Sequence, residues 1–131
     1  MFSLLLIVII TAPSVGEYHW KYGEASWYRP KTKHVREWGK VKGKILLAAH
    51  PRLRAGGLVL VEDVHTHRSV IVRICGRGPH ARGRVIDLSR DAFSVIASRS
   101  GVTDVRLRVI CYSHKGCGHL IGAMKQLQSS L

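Results

Sequence analysis

Apolar and polar residues alternate with a period of two along much of this chain, and proline, glycine and clusters of basic residues separate the alternating runs. In residues 23–28, Gly-Glu-Ala-Ser-Trp-Tyr, small or apolar positions alternate with polar ones until Arg29-Pro30, which predicts a first strand. Residues 31–44 are basic and without clear period, and predict a surface loop carrying Trp38 and Gly39. Residues 45–49 form a short apolar run closed by His50-Pro51, as a buried strand would be. The runs 58–62 and 69–74 flank Asp63-Val64-His65-Thr66-His67-Arg68 and predict a hairpin.

Residues 84–88 read as a further short strand, and the next eleven positions, 89–99, predict the main helix. Ser89 is a good N-cap, Asp91 favours the first turn, and Ala92, Phe93, Ile96 and Ala97 share one face, with Gly101 as the stop. Residues 104–110 alternate cleanly, Val105, Leu107 and Val109 turning to a core and Arg106 and Arg108 to water. The tail beyond Ser113 is glycine-rich and predicts at most a weak terminal helix. Many short strands with one short helix predict a mainly β fold, a small β-barrel.

Charge narrows the class of partner. The chain has 131 residues, enough for one core, and 21 Lys and Arg against 8 Asp and Glu give a net charge of +13. Such an excess implies an anionic partner: a nucleic acid, a cell-envelope polymer or a membrane surface. Residues 2–10 are almost wholly apolar and are followed by Ala12-Pro13-Ser14-Val15-Gly16, so residues 1–16 read as an export segment, although no Lys or Arg precedes the run. The run is too short to span a bilayer as a stable helix. The alternative for it is a buried N-terminal strand. Export makes nucleic acid an improbable partner, and no helix-turn-helix, zinc-finger or RNA-recognition signature is present.

Three cysteines allow one disulfide. Cys111 and Cys117 could close a small loop, and Cys75 and Cys111 could bridge two strands if these are neighbours. Cys111, His114, Cys117 and His119 cluster, but at a spacing unlike the usual zinc patterns, so no metal and no cofactor are expected.

The segment Cys75-Gly76-Arg77-Gly78-Pro79-His80-Ala81-Arg82-Gly83-Arg84-Val85-Ile86-Asp87-Leu88-Ser89 places a single carboxylate after a loop of arginines and glycines and before a helix start. Taken with Ala25-Ser26-Trp27-Tyr28, Ala48-Ala49-His50, the strand 69–74, Arg77-Gly78-Pro79 and the strand 105–110, it resembles the rare lipoprotein A family over residues 23–110. The resemblance implies a six-stranded double-psi β-barrel, residues 111–131 forming a tail. It also implies lytic transglycosylase activity on peptidoglycan, cleaving the bond between N-acetylmuramic acid and N-acetylglucosamine to leave 1,6-anhydro ends. Expansins share a similar barrel, and a non-catalytic expansin-like wall-binding module is the alternative.

By the same resemblance Asp87 matches the family's acid and His50 the histidine beside it. One carboxyl can serve in turn as acid and base when the sugar's own hydroxyl replaces water, whereas ordinary glycoside hydrolysis uses two. Asp87 could equally bond backbone amides at the helix start, and His50 could simply hold a loop. Tyr28 and Trp38 are candidates for stacking on sugar rings, with Trp27, on the other face of its strand, packing the core. Arg77 and Arg84 are candidates for meeting carboxylates or phosphates of a wall polymer, the alternative for Arg77 being an ion pair with Asp87. The partner implied is a peptidoglycan glycan strand or another anionic envelope polymer, met in the periplasm, cell envelope or extracellular space by a monomer. The family usually carries acids where this chain has Gly39, Lys42 and Gly76, with Glu37 near but off register, so activity is expected to be weakened or absent.

Overall fold

The computed structural model describes residues 19–97 and 101–118. The apolar segment 1–16 and the glycine-rich end 119–131, with their expected export and terminal-helix roles, lie outside the described residues. Six strands close into a barrel: β1 (Lys21–Tyr28), β2 (Leu47–Ala49), β3 (Leu58–Asp63), β4 (Ser69–Gly76), β5 (Arg84–Ser89) and β6 (Val102–Cys111). Their order around the barrel is β1, β5, β2, β4, β3, β6. β1 runs parallel to β5 and β2 parallel to β4, and every other neighbouring pair is antiparallel.

Alternation decides which side chains face inward. Ala25, Ala48, Val59, Val61, Val72, Ile74, Ile86, Leu88 and Val105 are essentially sealed from solvent and form one core with Phe93 and Ile96. Each buried Val, Leu or Ile stabilises the fold by about 1.5–3 kcal/mol relative to its exposed state. The same alternation has a chemical consequence on β5: with Ile86 and Leu88 both turned into the core, Asp87 between them must point outward.

Two irregularities reshape the ladders near that residue. The register of β1 against β5 shifts between Glu24 and Ala25, and that of β2 against β4 shifts between Ala48 and Ala49, so that Ala49 meets Gly76. Cys75 is thereby passed over in the pairing, an arrangement that re-aims side chains at a barrel rim.

Among the described residues two seven-residue helices accompany the strands, where one was expected, and a further helical turn spans 114–118. Helix α1 (Thr32–Trp38) occupies the segment whose lack of period predicts a loop. It has no side-chain cap and no acidic residue in its first turn, so the usual start signals are missing. Its stop was available in the sequence: Gly39 takes φ 75° and its N–H bonds the Val35 carbonyl. Helix α2 (Arg90–Ile96) is shorter than expected, with Ser89 as its cap accepting from the Ala92 amide at 3.4 Å. Ser89 also receives the Leu47 N–H at 3.3 Å and donates to the Ile45 carbonyl, tying the start of α2 to the approach to β2.

Of the two cysteine pairings, Cys111–Cys117 is formed and Cys75 is a buried free thiol. Both sulfurs of the former pair are thus withdrawn from any metal. The disulfide folds the turn after β6 back onto the barrel, where the backbone and Cβ of His114 lie about 3 Å from where a side chain at Gly56 would begin.

Candidate functional site

Asp87 sits in the ladder between β1 and β2, paired with Ser26 on one side and Ala49 on the other. The Ser26 hydroxyl donates to Asp87 Oδ1. The helix start that Asp87 could have capped is served by Ser89, and among the described residues Asp87 accepts no backbone amide. The carboxyl is half-buried, with much of its hydrogen-bonding capacity open.

Tyr28, two residues along β1 from Ser26, lies with its hydroxyl 3.3 Å from Cys75 Sγ. Burial, then the contact with Cys75, then the negative charge of Asp87 push the Tyr28 phenol well above the usual range. Burial likewise pushes the Cys75 thiol up, aided by the charge of Glu37 and opposed by hydrogen bonds from Tyr28 and the Ala48 amide. Both groups stay protonated near neutrality, so the wall beside Asp87 is polar but uncharged. Glu37, carried by the unforeseen helix α1, is close enough to Cys75 to be felt electrostatically; its absence from the family register had concealed it.

His50 follows Ala49, the cross-strand partner of Asp87, and is itself buried. Its Nδ1 accepts the N–H groups of Arg52 and Leu53, both at 3.1 Å, and so holds the turn beyond Pro51. Burial, assisted by the positive charges of Lys21 and Arg52, lowers its pKa to about 4. The imidazole is neutral at pH 7 with Nδ1 unprotonated, which leaves Nε2–H as a fixed donor and rules it out as a proton carrier there.

Two cavities open along β5 on either side of Asp87 in the sequence. One, of about 290 Å³, is lined by Arg84 and Val85 with Lys21, His50, Arg52 and His80. The other, of about 500 Å³, is lined by Ser89 with Tyr28, Pro30, Val35, Ile45 and Arg90. Of the residues singled out in the sequence, His50 and Arg84 thus share one cavity, Tyr28 lines the other, and Asp87 lines neither.

Three aromatic and basic candidates are placed elsewhere. Arg77 donates to the Pro51 carbonyl at 3.4 Å and makes no ion pair with Asp87. The Trp38 ring packs under the Arg73 guanidinium, 5.0 Å from the ring centre, and against His114, 5.4 Å between ring centres. It fastens α1 to β4 and to the disulfide turn. Trp27, expected in the core, is 38% exposed with Arg90 over its ring.

Residues 21–107 match the family model described as lytic transglycolase. The chain belongs to this family. Within it, the chain is 36% identical over 105 residues to the endolytic peptidoglycan transglycosylase RlpA of Campylobacter jejuni, covering 76% of this chain and 37% of the relative. It is 46% identical over 70 residues to the RlpA of Pasteurella multocida, covering 53% of this chain and 24% of that one. The chain therefore spans only about a third of the length of such relatives. Among solved structures, the expansin of Clavibacter michiganensis aligns with a TM-score of 0.50 at 15% identity, over 70% of this chain and 50% of the expansin. A variant of the same expansin in complex with cellohexaose gives 0.51 at 14%. These likenesses show the fold, a double-psi β-barrel as the family resemblance implied.

Proposed function

We propose that the chain is an exported lytic transglycosylase domain that cleaves the N-acetylmuramic acid to N-acetylglucosamine bond of peptidoglycan and leaves 1,6-anhydro ends. The observation that carries this reading is the setting of Asp87: an outward carboxyl on the barrel wall, oriented by one serine hydroxyl and close to the uncharged Tyr28–Cys75 pair. Membership of the lytic transglycolase family supports it.

In its acid form Asp87 gives its proton to the glycosidic oxygen as the bond to the muramic anomeric carbon breaks. The resulting carboxylate then takes the proton of that sugar's 6-hydroxyl as its oxygen closes onto the same carbon. The proton returns to Asp87, no water is consumed, and a single carboxyl completes the cycle. Tyr28 and His50 Nε2–H are neutral donors positioned to hold sugar oxygens without competing for that proton. Tyr28 also offers its ring to an apolar sugar face. Tyr28, Arg77 and Arg84 are assigned to substrate binding, with Asp87 and His50 at the reacting bond. Trp38 acts through α1, holding Glu37 beside Cys75.

Export rests on the apolar segment 1–16 and places the barrel where peptidoglycan is. Digestion of purified sacculi in water enriched in heavy oxygen tests the reaction class. The new ends should be anhydro sugars free of the label. Labelled reducing ends would show hydrolysis, and sacculi that are bound but left intact would show an expansin-like binding module.

A further inference from the structure

The smaller cavity has a composition the cleavage chemistry does not require. Lys21 at the start of β1, Arg52 in the turn held by His50, Arg84 at the start of β5 and His80 in the loop before it converge on one space of about 290 Å³. No carboxylate lines it. Among the described residues, none of Lys21, Arg52, Arg84 and His80 has an ion-pair partner within 4.0 Å. Three permanent cations lining one space repel, and the chain holds them there across three separate elements, with Glu24, the strand partner of Arg84, outside the cavity lining. The field is strong enough that Lys21 and Arg52 act on the buried His50 ring. Such an arrangement gains most from an oxyanion that can receive several charge-assisted hydrogen bonds at once.

We propose that this cavity is a carboxylate subsite, taking a carboxylate carried on the peptidoglycan strand next to the bond that Asp87 cleaves. The inference rests on the peptidoglycan-acting reading of the chain and adds to it the feature of the strand that is recognised. Charge complementarity sets the choice of group, since the sugar rings themselves are uncharged, and the larger cavity, which joins Tyr28, Pro30, Val35 and Ile45 to Arg29, Lys40 and Arg90, also holds the carboxylate of Asp91, whereas the smaller holds none. The carboxylates available on such a strand are those of the stem peptide and, where that peptide has been removed, that of the lactyl arm. Either would enter with its oxygens toward Arg52 and Arg84 while His50 Nε2–H stays available to the sugar.

The test is binding to purified sacculi, measured with the full chain carrying Asp87→Asn so that cleavage does not intrude. Sacculi are used intact and after carbodiimide amidation of their carboxylates. The expected result is a loss of affinity of about tenfold or more on amidation. A Lys21→Gln, Arg52→Gln, Arg84→Gln variant should bind intact sacculi about as weakly as the parent binds amidated ones, and should no longer respond to amidation. A control with the same charge change on exposed sites, Lys31→Gln, Lys33→Gln, Lys115→Gln, should keep the response. Sacculi stripped of stem peptides by an amidase, which frees the lactyl carboxylates, distinguish the two sources: a response to amidation that appears or grows on stripped sacculi assigns the lactyl carboxylate, and one lost there assigns the stem. Equal behaviour of the two charge variants, or binding indifferent to amidation on both intact and stripped sacculi, overturns the subsite while leaving the cleavage proposal standing. If the parent does not bind sacculi at all, the peptidoglycan reading falls first.

Discussion

Asp63 and Asp87 are both aspartates on barrel strands, and their surroundings could hardly differ more. Asp63, at the end of β3, is 1% exposed and fully engaged. Its Oδ1 accepts the N–H groups of His65 at 2.8 Å and Thr66 at 3.0 Å, and its Oδ2 the Thr103 hydroxyl at 2.6 Å. Burial pushes its carboxyl up, but those hydrogen bonds and the nearby His65 outweigh it, and the net shift is downward. Asp87 has, among the described residues, a single side-chain donor, Ser26, and is half-buried. The contrast separates a carboxylate saturated with donors, which holds a turn, from one aimed by a single donor, the setting on which the proposed proton exchange rests.

The comparison breaks most visibly in stability. Asp63→Ala strands two amides and a buried hydroxyl, and should cost about 3 kcal/mol in denaturant unfolding, against less than about 1 kcal/mol for Asp87→Ala. Equal losses would dissolve the distinction. Because the folded carboxyl of Asp63 is depressed, its contribution is present above its unfolded value of 3.8 and should be lost as pH falls below it.

His50 extends the contrast to pH in a different window. Its folded pKa of about 4 lies below the ordinary 6.5, so between these values the unfolded chain takes up a proton that the folded chain refuses. Stability from this group is complete above 6.5 and should fall by about 2–3 kcal/mol toward pH 4, a slope that His50→Gln should remove. A melting series showing the same slope in both proteins would contradict the buried neutral imidazole.

The disulfide turn offers a smaller effect. Opening Cys111–Cys117 with a double serine variant should cost about 2 kcal/mol by releasing a short loop, and should loosen Trp38, visible as a change in tryptophan fluorescence. The smallest effect concerns the wall beside Asp87. Glu37→Gln should lower the Cys75 thiol pKa by less than about one unit, read from ultraviolet thiolate absorbance, because Glu37 raises it. No change would place Glu37 outside the site.

Strands and site differ in how far residues alone disclose them. Every strand was legible because alternation is a local signal, and the boundaries moved only at ends such as Lys21 and Cys111, where pairing with a neighbour extends them. Helix α1 escaped because it lacks the capping and charge signals of a helix start and is held instead by Trp38 on Arg73 and His114, residues distant in sequence. The packing of Trp38 was hidden for the same reason, and Arg77, a candidate for wall-polymer contact with Asp87 as its alternative partner, donates to the Pro51 carbonyl and not to Asp87. The outward direction of Asp87 follows from Ile86 and Leu88 alone. Its hydrogen bond to Ser26 does not, since that depends on a parallel pairing of strands 61 residues apart. The convergence of Lys21, Arg52 and Arg84 is equally non-local, and a basic composition says nothing of which charges meet.

The central claim is that Asp87 carries the proton in both halves of the reaction while contributing little to the fold. Asp87→Asn keeps the size of the side chain and an acceptor for Ser26, so thermal unfolding should be nearly unchanged. Mass spectrometry of digested sacculi should meanwhile show anhydro ends reduced by about a hundredfold to ten-thousandfold relative to the natural chain. Anhydro ends produced at an undiminished rate by a folded Asp87→Asn protein would contradict the account.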